Sequence, residues 1–167
     1  LKSFEITKKF RNNYNIKSYN AVIFNTESFF RKKNFLIPKI CLAAISAKNE
    51  KKKTRFGNLK ISREWNWGPE QITYLLRFIK KKPQDFLLSN GKSYSAIDML
   101  KFAFQYFNLD YKKYILKNDK LLLRQKDILS KKSNWKSCLK RNKIEREIKI
   151  YGKKLIINLI KHYQKKL

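Results

Sequence analysis

Between positions 57 and 68 the chain reads Gly-Asn-Leu-Lys-Ile-Ser-Arg-Glu-Trp-Asn-Trp-Gly, placing one guanidinium, Arg63, beside two indole rings, Trp65 and Trp67. A planar cationic fork grips carboxylates and phosphates bidentately, a task lysine performs poorly. The stretch holds two of the four glycines and two of the three tryptophans in a lysine-dominated chain, so compositional drift explains it badly. Gly57-Asn58 reads as a turn after a short extended run at 54–56. Gly68-Pro69-Glu70 reads as a helix start, with proline at the first helical position and an acid near the exposed N–H groups. On this reading Arg63 and both indoles ride a loop held between ordered elements, where binding residues tend to lie. The competing reading makes the loop a connector whose tryptophans plug the core.

Other chemistries are thinly represented. Cys41 and Cys138 lie far apart, and the single histidine, His162, stands among lysines near the end. No zinc site follows from these alone. Cys41 falls on an apolar helical face and is expected to be a buried small hydrophobe, and His162 to be a solvated surface residue. No Gly-x-x-Gly-x-x-Gly phosphate loop is present, and no tyrosine is followed by lysine four residues on. Neither a dinucleotide cradle nor a Tyr-x-x-x-Lys proton-transfer pair can be built from these residues.

A chain of 167 residues with 43% hydrophobic content builds about one domain with a real core. The net charge of +29 would ordinarily put nucleic acid first among partners. Only eight of the 41 basic residues are arginine, however, and asparagine, isoleucine, phenylalanine and tyrosine abound. That is the mark of a coding sequence drifting towards A and T, which leaves diffuse lysine charge and makes the surviving arginines the informative cations. Nucleic acid is therefore not the partner expected. No secretory signal and no apolar run of about 18 residues is seen, so no membrane span is expected and the cytoplasm is the default compartment.

Apolar periodicity supplies the elements that must position these residues. A helix over 1–14 carries Ile6, Phe10 and Tyr14 on one stripe. Residues 18–24 form a buried strand, with 25–28 as a polar loop at its carboxyl end, where open α/β sheets place ligands. A helix over 35–47 turns Ile37, Ile40, Cys41, Ala44 and Ile45 inward, and 48–53 is a solvated turn. A helix over 69–81 buries Ile72, Leu75, Leu76 and Ile79, and 85–89 is a short buried strand. Ser95 and Asp98 resemble a capping box for a helix burying Ile97, Leu100, Phe104 and Phe107. A short strand over 114–116, a helical turn around Trp135, Cys138 and Leu139, and a last helix over 153–165 burying Leu155, Ile156, Leu159 and Ile160 complete the chain. The class is α/β, with too few strands for a complete doubly wound sheet.

The segments Phe10-Arg11-Asn12-Asn13-Tyr14, Ile23-Phe24-Asn25, Glu27-Ser28, Asn34-Phe35, Lys39-Ile40, Gly57-Asn58-Leu59, Arg63-Glu64-Trp65, Pro69-Glu70, Asp85-Phe86 and Gly91 occur in a telling order. Together with Leu109-Asp110-Tyr111-Lys112-Lys113-Tyr114 and Leu123-Arg124-Gln125-Lys126-Asp127-Ile128, they resemble the GDP-mannose 4,6-dehydratases, extended short-chain dehydrogenases. The resemblance fades after about Leu139. It implies a partial Rossmann-type fold: the last strands of the parallel sheet plus a mostly helical substrate-binding lobe. Residues 1–28 would end the Rossmann-type part, 29–143 would form the lobe with helix and strand 69–90 returning to the sheet, and 144–167 would be a helical tail.

Aligned with that family, Leu1 falls just after the lysine of the catalytic Tyr-x-x-x-Lys. The tyrosine, lysine, threonine and glutamate of the chemistry would lie upstream, leaving no catalytic residue here. The family oxidises the hexose of GDP-mannose at C4 with NADP, eliminates water across C5 and C6, and returns the hydride to C6. Phe24, Asn25, Thr26 and Arg31 map to the cofactor side, with Thr26 where the family has histidine. Lys39, Leu59, Arg63, Arg124 and Asp127 map to the substrate side. Pro38 replaces a family arginine, and Gln125 and Asp127 depart from the family's Arg-Pro-x-Glu. Expected partners are GDP-mannose, the missing amino-terminal half or a homologous dehydratase subunit, and further copies in an oligomer. The alternatives are a small basic nucleic-acid- or ribosome-associated protein and a non-catalytic partner of a complete dehydratase.

Overall fold

A computed structural model describes residues 2–117 and 148–166. In chain order the elements are α1 (Lys2–Tyr14), β1 (Asn20–Ile23), β2 (Asn25–Glu27), α2 (Leu36–Glu50), β3 (Thr54–Phe56), β4 (Ser62–Arg63), β5 (Trp65–Trp67) and α3 (Gly68–Phe78). They continue through β6 (Asp85–Leu88), β7 (Tyr94–Ser95), α4 (Ala96–Gln105), a 3-10 turn (Tyr111–Lys113), β8 (Ile115–Lys117) and α5 (Gly152–Gln164). The strands pair two by two: β1 with β6, β2 with β5 and β3 with β8 in parallel, and β4 with β7 antiparallel. No described helix is long and apolar enough to cross a membrane.

The β1–β6 pair carries one small core. Phe86 and Leu88 of β6 pack with Phe78 and Ile148, flanked by Tyr19, Ala21, Tyr74, Leu75 and Tyr151. Helix α1 buries no residue and is held by polar contacts instead. Arg11 Nη2 donates to Asp85 Oδ1 at 2.7 Å, and Asn20 Nδ2 bridges Phe4 O and the same Asp85 oxygen at 3.1 and 2.9 Å. Pro69 opens α3. The Glu70 carboxylate in its first turn accepts the backbone N–H of Ile150 at 3.0 Å, pinning the approach to α5.

The larger core belongs to a helical lobe in which α2, α4 and α5 pack on one another. Their apolar stripes bury Ile37, Ile40, Cys41, Leu100, Phe104, Leu155, Ile156, Leu159 and Ile160 almost completely, the outcome that period 3.6 dictates. Cys41 is a core residue as expected, its Sγ 4.0 Å from Ile156 O. The capping box at α4 forms with both arms: Asp98 N donates to Ser95 Oγ at 3.1 Å and Ser95 N to Asp98 Oδ2 at 3.0 Å. Gly152 begins α5 at a φ of 51°, and a Cβ there would stand 2.7 Å from Cζ of Tyr94.

Two expectations are corrected, and the choice between the two readings of 57–68 falls to the one in which the tryptophans plug the core. Residues 25–27 form β2, paired Asn25↔Trp65, Thr26↔Asn66 and Glu27↔Trp67, rather than a loop. The 57–68 stretch contains β4 and β5, and Trp65 and Trp67 are 3% and 6% exposed, so the tryptophans plug the core. On α3 most of the expected inward stripe faces outward: Ile72 and Leu76 are each 53% exposed and Ile79 40%, while Leu75 packs on the small core and Gln71 and Phe78 are buried. The α1 stripe of Ile6, Phe10 and Tyr14 is likewise exposed. The helix expected around Trp135, Cys138 and Leu139 lies outside the described residues.

Candidate functional site

Because β1 and β6 run parallel, their carboxyl ends lie side by side, with Phe24 and Asn25 leaving one strand and Ser89 and Asn90 the other. Open α/β sheets bind ligands at this edge. Glu64, directly after Arg63, reaches it. Its Oε1 accepts Asn90 N–H at 2.6 Å, its Oε2 accepts Ser89 Oγ–H at 2.9 Å, and Asn66 Nδ2 donates to Oε1 at 3.2 Å. Asn90 Nδ2 in turn donates to Asn66 Oδ1 at 2.7 Å and to Trp65 O at 3.2 Å. Asn66 and Asn90 are buried, at 0% and 5% exposure. Charge-assisted bonds of this kind are short and strong, and a fully connected network fixes one arrangement. It therefore sets the position of the backbone that carries Arg63.

A second polar group lies under β2. Thr26 Oγ1 is 2.7 Å from Gln71 Oε1 and also donates towards Phe24 O at 3.2 Å. Gly68 permits this close approach, since a Cβ there would meet Thr26 Cγ2 at 3.0 Å and Glu27 O at 3.3 Å. Glu27 is 2% exposed, and burial raises its carboxyl from 4.5 to about 7, against the opposing pull of Arg31. Arg31 Nε stands 3.9 Å from Glu27 Oε1, and its guanidinium lies 3.8 Å above the Phe35 ring. The charge of Glu27 also reaches Cys41 and Tyr163: burial first, with that charge adding, pushes the Cys41 thiol up and the Tyr163 phenol to about 12.

The residues expected on the cofactor side thus divide. Phe24, Asn25 and Thr26 sit at the carboxyl end of β1, with Asn25 exposed and Thr26 committed to Gln71. Arg31 turns to Glu27 and Phe35. On the substrate side, Lys39 in the first turn of α2 places Nζ 4.7 Å from the centre of the Phe56 ring. Leu59 packs on the helical core between β3 and β4. Arg63 is half-buried on β4 opposite Tyr94, its Nη1 donating to Ser62 O at 2.8 Å. Arg124 and Asp127 lie outside the described residues.

Sequence reasoning passed over Glu64, Asn66, Ser89, Asn90 and Gln71 as polar actors. The available signal was the company they keep: Glu64 is one of only 12 acids in the chain, set directly before a Trp-Asn-Trp run. An acid beside buried aromatics needs hydrogen-bond partners.

The family model for GDP-mannose 4,6 dehydratase matches residues 1–152. GDP-mannose 4,6 dehydratase 2 of Arabidopsis thaliana is 29% identical over 111 residues, covering 65% of this chain and 30% of that protein. The GDP-mannose 4,6-dehydratase of Sinorhizobium fredii is 27% identical over 107 residues, 63% of this chain and 30% of that one. Among solved structures, dTDP-glucose 4,6-dehydratase from Bacillus anthracis, in complex with NAD, superposes with a TM-score of 0.71 at 13% identity, covering 96% of this chain and 49% of that one. RMD from Pseudomonas aeruginosa, complexed with NADPH, gives 0.70 at 9% identity, over 96% and 52%. The chain therefore spans about a third of the curated relatives it matches and about half of the solved ones. These neighbours share its mixed α/β, Rossmann-type fold with parallel strand pairs. With the family model matching most of its length, the chain belongs to the GDP-mannose 4,6 dehydratase family.

Proposed function

We propose that this chain supplies the nucleotide-sugar-binding part of a GDP-mannose 4,6-dehydratase. The observation that carries the reading is the match to that family over residues 1–152. Arg63 would contact the diphosphate, with Lys39, Leu59, Arg124 and Asp127 as further substrate contacts. Glu64 supports this role for Arg63 by anchoring the adjoining backbone to Ser89 and Asn90. Residues 1–28 would complete the sheet part, 29–143 the substrate lobe and 144–167 the tail.

NADP is the cofactor we assign, and the fit of the residues present is partial. Phe24, Asn25 and Thr26 offer one wall at the carboxyl end of β1, while the sequence holds no glycine-rich phosphate cradle. When bound, a nicotinamide cofactor would accept and return a hydride. This chain's residues would orient the sugar and hold its diphosphate, and none is assigned a catalytic role. We expect no turnover from the chain by itself, and action in the cytoplasm together with a homologous subunit or an amino-terminal half.

The test is a calorimetric titration of GDP-mannose at two salt concentrations. One saturable equivalent with a modest salt response supports the reading. Steeply salt-dependent binding of an oligonucleotide, with no saturable GDP-mannose binding, would replace it by a diffuse polycation.

A further inference from the structure

Four buried side-chain atoms have no hydrogen-bond partner among the described residues: Glu27 Oε2, Arg31 Nε, Gln71 Nε2 and Tyr163 Oη. Native interiors leave few such groups, so each calls for a reason. Gln71 stands apart. Its Oε1 meets Thr26, and successive side chains of a strand point to opposite faces, so Glu27 is turned away from it. The other three belong together. Arg31 Nε lies 3.9 Å from Glu27 Oε1, and the charge of Glu27 reaches Tyr163, adding to burial and to Cys41 in pushing the phenol up to about 12.

A separation of 3.9 Å is too long for a direct N–H···O bond, and a water is the natural bridge across such a polar gap. An oxygen about 2.8 Å from both atoms spans it. Bulk solvent does not reach these atoms: Arg31 Nε and Tyr163 Oη are closed off, although both residues line a surface cavity of about 140 Å³. The three orphaned atoms, two donors and one acceptor, are the complement of one water. A buried water typically makes about three hydrogen bonds to groups that are otherwise unsatisfied.

We propose that a single buried water sits among Glu27, Arg31 and Tyr163, accepting from Arg31 Nε–H and Tyr163 Oη–H and donating to Glu27 Oε2. Glu27 ends β2, Arg31 lies in the turn that follows, and Tyr163 is in the last turn of α5. The water thus ties the strand that bears Asn25 and Thr26 to the helical lobe. Cys41 on α2 also feels the Glu27 charge, but its S–H is directed to Ile156 O, 4.0 Å away, and takes no part. The site gives Arg31 a role apart from the cofactor side, and it stands or falls independently of Arg63 and GDP-mannose.

The intact chain is compared with Tyr163→Phe, Arg31→Lys and the control Lys52→Gln at pH 8, above the Glu27 value of about 7. Oxygen-17 magnetic relaxation dispersion counts the waters that stay bound longer than a protein takes to tumble. The expected result is one long-lived water fewer in Tyr163→Phe and in Arg31→Lys, and no change in Lys52→Gln. Tyr163→Phe keeps the ring, and Arg31→Lys keeps the charge without the Nε donor, so neither empties the core. Urea unfolding supplies a second readout. A hydrogen bond within reach of a charge is worth more than one between neutral groups, so Tyr163→Phe should lower the folding equilibrium constant about fivefold more in the parent than in Glu27→Gln. A full set of long-lived waters in either variant overturns the proposal, as does an equal effect of Tyr163→Phe in the parent and in Glu27→Gln. Unequal effects with no water lost would identify a direct bond between Tyr163 and Glu27, and overturn it too.

Discussion

Asn90 donates its backbone N–H to Glu64 Oε1 at 2.6 Å, joining the end of β6 to the residue that follows Arg63. Ser89 Oγ and Asn66 Nδ2 donate to the same carboxylate. Removing the carboxylate strands several donors at once, and a hydrogen bond to a charged group is worth about 1.5–3 kcal/mol. Glu64→Ala should therefore lower unfolding stability by roughly 3 kcal/mol or more in urea titrations, and Glu64→Gln by less. Equal, small losses in both variants would show that the charge does not matter.

Glu27 makes a pH prediction. Its carboxyl is raised from 4.5 to about 7 in the folded chain. Below 4.5 both folded and unfolded chains hold the proton. Between 4.5 and 7 only the unfolded chain has released it, so stability falls as pH rises, reaching a full penalty of about 3 kcal/mol above 7. In Glu27→Gln this component should vanish, leaving the variant more stable than the parent at pH 8 and nearly equal at pH 4. Unfolding curves at the two pH values decide it, and parallel pH profiles would refute it.

Gly152 tests the join between the lobe and its last helix. Alanine there must hold a φ of 51° and place its Cβ 2.7 Å from Tyr94 Cζ, in a ring that packs on Phe102 and Tyr151. The left-handed backbone costs about 1–2 kcal/mol and the displaced ring about 1–3 more. Thermal melts of Gly152→Ala should show a loss of roughly 2–5 kcal/mol. A melt within error of the parent would mean that Tyr94 moves freely.

Ile72 and Leu76 project half-exposed from α3, as Ile6 and Phe10 do from α1. Apolar surface of this extent favours association. Ultracentrifugation should find the chain self-associated at micromolar concentration, and the pair Ile72→Glu with Leu76→Glu should shift it towards monomer without changing its helix content. A parent chain already monomeric at those concentrations would contradict this.

The elements that periodicity alone can specify were legible: Ser95 with Asp98 marks the start of α4, and Leu155, Ile156, Leu159 and Ile160 mark the buried face of α5. Period says which residues share a face, not which face meets the core. Ile72, Leu76 and Ile79 share one on α3, but Phe78 and Gln71 are the residues turned inward. The strand Asn25-Thr26-Glu27 was hidden because its three polar residues acquire their reason only from Trp65 to Trp67, forty positions away. A separation of 26 positions between Glu64 and Asn90 likewise concealed the Glu64 network. Among the candidate residues, the arginines stood out because lysine is so abundant, while the asparagines that hold Arg63's neighbour in place did not.

The most direct test of the nucleotide-sugar assignment is the affinity for GDP-mannose of the chain and of Arg63→Ala, measured by titration at two salt concentrations beside the control Lys52→Gln. A charge-assisted contact to the diphosphate predicts a ten- to hundredfold weakening in Arg63→Ala and none in Lys52→Gln. Unchanged affinity in Arg63→Ala, or equal small losses in both variants, would contradict the assignment.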